Sequence, residues 1–198
     1  MEKAFFKRIS SVIFSSDKTE LDICQQIYYK CLLASRRPEF YTKFEVADTF
    51  DGRFDMLCLI ISVYMHKLTK EPEKTKEFSQ ILFDVMFKDI DLTLREMGAG
   101  DLGVGKRVKI MSENFMGRLI KYSQSLENKN ASLLAKALSR NLYRQDGMVN
   151  SDDEVTAFVL KLSLEIASLK MDYVMSEEFD MDDIVVSCLK LDNGKKRN

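Results

Sequence analysis

Apolar residues recur at three- and four-residue intervals along most of the chain, the spacing of helices that each bury one face. Leu21, Cys24, Ile27, Tyr28 and Cys31 mark a helix over residues 20–34, which Arg36, Arg37 and Pro38 interrupt. Residues 38–50 carry Phe40, Tyr41, Phe44 and Phe50 without a regular period and read as a loop anchored to the core by its aromatics. A helix is expected from Asp51 to Leu68, ahead of Pro72, and another from Glu73 to Met97. On the latter, Asp84, Lys88, Asp91 and Arg95 form a polar stripe, while Phe78, Ile81, Leu82, Phe83, Val85, Met86, Phe87, Ile90 and Leu94 fill most of the remaining girth. A helix so widely apolar is expected to be central or to touch a partner.

Val104, Val108, Met111, Phe115, Leu119 and Tyr122 form the inward stripe of a long helix that follows. Gly117 within it costs about 1 kcal/mol relative to alanine, which suggests that another backbone packs closely there. Leu134, Leu138 and Leu142 face inward from a helix over residues 131–144, with Lys136, Arg140 and Arg144 along its edge. Ser151-Asp152-Asp153-Glu154 has the form of a capping box ahead of a helix bearing Val155, Phe158, Val159, Leu162, Ile166 and Leu169. Residues 182–191 fit a short helix or a strand, and Lys195-Lys196-Arg197 reads as a frayed tail. At the other end Phe5, Phe6, Ile9, Val12 and Ile13 oppose Lys3, Lys7 and Arg8. Residues 1–18 thus read as an amphipathic helix that either lies in a membrane interface or packs on the core.

The expectation is an all-α, single-domain bundle of about seven helices over residues 1–198, with a glycine-rich helix–helix turn at 98–105 and an acidic helical segment at 146–198. Composition agrees with it. The chain of 198 residues is 45% hydrophobic and 31% charged, with only 8 Gly and 2 Pro, too few for a fold of many tight turns. The longest apolar stretch, Met56 to Met65, falls far short of the ~20 residues that span a bilayer. No signal-peptide pattern or organelle presequence is evident at the start. Cys24, Cys31, Cys58 and Cys188 lack metal-ligand spacing and read as core thiols in a reducing compartment. His66 is the sole histidine, which excludes a site needing two imidazoles. No metal or cofactor is expected, and nothing points to DNA.

Charge is balanced overall and uneven locally. Residues 95–145 carry ten Lys/Arg against four Asp/Glu, whereas residues 146–184 carry two against eleven. Two solvated faces that attract one another would explain this. A basic face of Lys106, Arg107, Lys109, Arg118, Lys136, Arg140 and Arg144 for a ribosome or lipid surface is the alternative.

Residues 98–107 admit two nucleotide-binding patterns: GxGxxG at Gly98, Gly100 and Gly103, and GxxxxGK from Gly100 to Lys106. Both need a preceding strand, where a helix is expected here, and Arg107 stands where a magnesium-binding hydroxyl belongs. A nucleotide-dependent enzyme is therefore the weaker alternative. A helix–helix turn explains the run better, with Gly98 ending one helix in the left-handed conformation and Asp101 capping the next.

The order of several short motifs is more specific. Asp48-Thr49-Phe50-Asp51-Gly52-Arg53-Phe54-Asp55 is followed by His66, Leu82-Phe83-Asp84, Phe87, Asp89-Ile90-Asp91 and Leu94-Arg95-Glu96-Met97-Gly98. Gly100-Asp101, Val104-Gly105-Lys106, Val108-Lys109, Met111, Phe115, Gly117-Arg118 and Tyr122 complete the series. Over residues 36–125 it resembles the ubiquinol–cytochrome c chaperone family. The resemblance implies an all-helical, noncatalytic assembly factor for the cytochrome bc1 complex that binds newly made cytochrome b. A small partner chaperone, the ribosome and the inner membrane enter as further expected partners. The chain looks like an alphaproteobacterial member acting on the cytoplasmic side of the inner membrane.

Under that resemblance, Phe83, Met86, Phe87, Ile90, Met111 and Phe115 are the candidates for client contact, in a groove around the two long helices. Structural roles fall to Asp48, Asp51, Gly52, Arg53, Asp55, His66, Asp89, Asp91, Arg95, Gly98, Gly100, Asp101, Gly105 and Gly117. Arg53 is expected to pair with Asp89 or Asp91, and His66 to pack or cap rather than ligate haem.

Overall fold

A computed structural model describes residues 19–98 and 100–190, apart from the side chains of Asp101 and Leu102. The readings for residues 1–18 and for Lys195-Lys196-Arg197 lie outside the described residues. The described residues form nine helices and no strand: α1 (Glu20–Ser35), α2 (Pro38–Thr42), α3 (Phe50–Leu68), α4 (Pro72–Glu96), α5 (Asp101–Glu127), α6 (Ala131–Asn141), α7 (Glu154–Ser168), α8 (Met171–Val174) and α9 (Met181–Lys190). The count exceeds seven because α2 and α8 are too short to show a period, and residues 181–190 are helical.

The central element is α3. Every residue from Phe54 to His66 is buried, so the helix is enclosed on all sides. It packs on α1, α4, α5 and α7. Full burial of a side chain the size of Leu59 or Ile60, both 0% exposed, contributes about 1.5–3 kcal/mol. The central place expected for residues 73–97 therefore belongs to α3. Helix α4 buries Phe78, Leu82, Met86, Phe87, Ile90 and Leu94, while Ile81, Phe83 and Val85 are only partly covered.

Local signals fix the helix ends. Thr19 caps α1 in a reciprocal capping box with Asp22, and the Thr49 hydroxyl caps α3 by accepting from Gly52 N–H. Gly98 has φ 84°, the left-handed residue that ends α4 after Met97. Two expected caps are absent. Gly100 is the N-cap of α5, which puts Asp101 inside the first turn. Asp153 stands at the N-cap of α7, but its side chain accepts from the Asn150 N–H behind it, so the capping box does not close. Gly103 and Gly105 lie within α5, which shortens the glycine turn and leaves no strand–loop–helix phosphate loop.

Long-range polar ties close the bundle. Lys30 donates to the Glu177 and Phe179 carbonyls at 2.6 and 2.7 Å, Tyr64 to the Val174 carbonyl at 2.7 Å, and Tyr143 to the Phe44 carbonyl at 2.6 Å. The acidic segment does not lie mainly against the basic one. Asp182 takes Arg37 and Glu154 takes Lys43, both basic residues from the first quarter of the chain, while Arg140–Asp146 joins neighbours in sequence.

Candidate functional site

The motif residues Asp51, Gly52, Asp55 and Arg118 lie where the start of α3 meets α5. Asp48 and Thr49 precede the helix, and Gly52 packs so closely on the preceding loop that an added Cβ would lie 2.0 Å from the Ala47 carbonyl oxygen. One turn further in is Asp55, whose side chain is 1% exposed. Arg118 of α5 places Nη2 2.7 Å from Asp55 Oδ1. From beyond the end of α6, Arg144 reaches back with Nε 2.8 Å from Asp55 Oδ2 and Nη1 2.9 Å from Asp51 Oδ2. Burial pushes the Asp55 carboxyl above the ordinary aspartate range, and the two guanidiniums oppose that rise. The carboxylates in turn hold Arg144 firmly cationic.

Arg118 is fixed on its other sides as well. Its Nη1 donates to Cys58 Sγ at 3.7 Å, and its guanidinium carbon is 5.5 Å from the centroid of the Phe54 ring. Arg144 adopts φ 55°, a left-handed conformation that a long side chain takes at some expense. The ion network therefore ties three segments together: α3, α5 and the turn after α6.

Beside this network lies a cleft of ≈ 380 Å³ lined by Asp51, Phe54, Gly103, Lys106, Arg107, Ile110, Met111, Asn114, Arg118 and Arg144. Four of these side chains are cationic. Arg107 is held with its guanidinium carbon 5.4 Å from the Phe50 ring centroid. Arg144 also lines a second cleft of ≈ 290 Å³ on the far side, with Tyr143 and Met148.

The sequence candidates separate clearly. Met86, Phe87, Ile90, Met111 and Phe115 are buried, and Phe83 is partly buried, its ring 4.7 Å from Phe87 and 6.0 Å from Phe115. They form the α4–α5 interface. Of the basic set, Lys106, Arg107, Lys109, Lys136 and Arg140 are exposed, whereas Arg118 and Arg144 serve the ion network. Arg53 pairs with Asp48 at 2.5 Å, Asp91 with Arg95 at 2.6 Å, and Asp89 accepts from Tyr28 at 2.8 Å. His66 is buried with Nε2 3.7 Å from Glu127, which also takes Lys70. Among the described residues, no heavy atom beyond the neighbouring backbone of its own helix lies within 4 Å of a Cβ added at Gly117, so none of them supplies the close backbone expected there.

Two exposed apolar residues on α5, Ile110 and Ile120, escaped the sequence reading. Ile110, Met116 and Ile120 are 47%, 43% and 50% exposed, off the inward stripe. Their signal was present as large apolar residues among Lys106, Lys109 and Lys121. Among the described residues, no group of three or more His, Cys, Asp or Glu side chains is placed to hold a metal ion. No described helix is long and apolar enough to cross a membrane.

Among the described residues the chain is an all-helical bundle in which the motif residues Asp51, Asp55 and Arg118 join one ion network with Arg144. Residues 42–184 match the model of the ubiquinol–cytochrome C chaperone family, and the chain belongs to that family. The match reaches well past residue 125, so the acidic segment to residue 184 is part of the family region. The solved Cbp3 homolog from Brucella abortus is 30% identical and superposes with a TM-score of 0.72 over 93% of this chain and 98% of that one. The mouse ubiquinol-cytochrome c reductase complex assembly factor 1 is 23% identical over 120 residues, which cover 61% of this chain and 40% of the mouse protein.

Proposed function

We propose that this protein is a noncatalytic chaperone for assembly of the cytochrome bc1 complex, and that its client is newly made cytochrome b. The family match over residues 42–184 carries the reading. The mouse relative is named for assembly of the same complex.

Met86, Phe87, Ile90 and Phe115 are buried in the core and Met111 reaches only the cleft wall, so the five offer little surface in this conformation. The reading therefore moves client contact to the outer face of α5, where Ile110, Met116 and Ile120 flank Gly117. An apolar client helix gains close approach at an open glycine. A small partner chaperone, the ribosome and the cytoplasmic face of the inner membrane complete the proposed setting.

Deleting the gene is expected to lower cytochrome b and the bc1 complex while other respiratory complexes remain. Normal bc1 levels would overturn the reading. Crosslinking from an amino acid placed at position 110 or 120 in cells is expected to trap cytochrome b. Capture elsewhere on the surface, with none on α5, would remove this face from the proposal.

A further inference from the structure

We propose that the cleft between the first turn of α3 and the first turns of α5 binds a phosphate group, a site that meets the proposed client contact at Ile110. The inference stands on the local geometry and does not rest on the bc1 reading. Four cations, Lys106, Arg107, Arg118 and Arg144, line the cleft against one carboxylate, Asp51. Asp55, behind the lining, absorbs much of the charge of Arg118 and Arg144 through contacts at 2.7 and 2.8 Å. Lys106 and Arg107 are different. Both are exposed, and neither has an ion-pair partner among the described residues. The Phe50 ring lies 5.4 Å from the Arg107 guanidinium carbon instead, a contact that orders the side chain.

Uncompensated cations on the rim of a concave site concentrate field there and attract anions. Arginine matches tetrahedral oxyanions through its planar fork, and lysine adds a movable point charge. A volume of ≈ 380 Å³ exceeds what a bare phosphate fills, and the remaining wall is Phe54, Ile110 and Met111. That combination suits a phosphate ester with an apolar or glyceryl portion resting on Ile110. The shared chemistry is a phosphate ester, carried either by an anionic phospholipid headgroup or by a free small molecule.

Glycerol 3-phosphate measured by calorimetry and phosphatidylglycerol vesicles measured by cosedimentation serve as the two probes, with phosphatidylcholine vesicles as the neutral reference. The full chain is compared with K106A/R107A and with the charge-matched K76A/K129A. None of these four side chains is buried, so circular dichroism and the thermal midpoint are expected to stay unchanged. Saturable binding of either probe that weakens about tenfold or more in K106A/R107A and is retained in K76A/K129A supports the site. Binding of glycerol 3-phosphate assigns a free ester, and binding of phosphatidylglycerol vesicles alone assigns the headgroup. Equal weakening in both double variants, or no saturable binding of either probe, overturns the proposal.

Discussion

Arg118 on α5 lies 2.7 Å from Asp55 on α3, and both side chains are withdrawn from solvent, at 12% and 1% exposure. This pair joins the central helix to the helix it packs against most extensively. Removing one partner leaves a buried charge without compensation, which costs more than an exposed pair is worth. Arg118→Ala is expected to destabilise the fold by about 3 kcal/mol. Arg144→Ala, with a half-exposed side chain, is expected to cost about 1 kcal/mol or less. Urea denaturation of both variants checks the order; equal losses would show that the inner contact has no special weight.

The glycines on either side of that pair are expected to respond in opposite directions. At Gly52 an added Cβ meets the Ala47 carbonyl oxygen at 2.0 Å and the carbonyl carbon at 3.0 Å, both backbone atoms. Gly52→Ala must therefore separate the loop from α3, with an expected loss of about 1–3 kcal/mol. At Gly117 no described atom beyond the neighbouring backbone of its own helix lies within 4 Å, and the residue is mid-helix. Gly117→Ala is expected to stabilise the free protein by about 1 kcal/mol through helix propensity. Thermal denaturation reads both signs. Under the proposed function, the stabilised Gly117→Ala protein restores less bc1 complex to a deletion strain than the native chain does.

Most of the fold could be read from spacing, because long amphipathic helices repeat one signal many times. The stripe from Val104 to Tyr122 faces inward as its period requires. Of the two readings for residues 73–97, a central place or contact with a partner, the central place belongs to α3 for a physical reason. Residues 73–97 contain more apolar side chains in total, but those of residues 54–65 surround the helix axis completely, and enclosure depends on angular coverage rather than number. The site was legible only in part. Asp51, Asp55 and Arg118 were visible as motif residues, and Arg144 as a basic edge. Their meeting depends on residues 89 and 93 positions apart, which no local pattern encodes. The Asp153 cap failed for a local reason, since its carboxylate accepts from the Asn150 N–H three residues behind it.

The four cysteines are expected to be inert in the folded protein. All four are buried. Burial pushes the Cys24 and Cys58 thiols up to about 12, and Cys31 rises for the same reason. Since the thiolate is the reactive form, alkylation at neutral pH requires opening of the fold. Native protein is expected to resist iodoacetamide, and denatured protein to take up four equivalents, by mass spectrometry. Rapid labelling of the native state would place at least one thiol at the surface.

His66 gives the fold a defined acid sensitivity. Burial, aided by nearby Lys70, lowers its pKa from 6.5 to about 4. The unfolded chain therefore binds a proton at a pH where the folded chain still excludes it. Stability from this residue is complete above about 6.5 and falls as the pH drops from there through about 4. The full loss approaches about 3 kcal/mol, given about 1.4 kcal/mol for each unit of separation. Other carboxylates add their own slope in this range, so the difference between native protein and His66→Gln isolates the histidine. Unfolding free energies of the two proteins, measured in urea at intervals from pH 4 to 7, are expected to converge on acidification as the native protein loses its excess. Parallel curves across that window would mean that His66 takes up its proton equally well in both states.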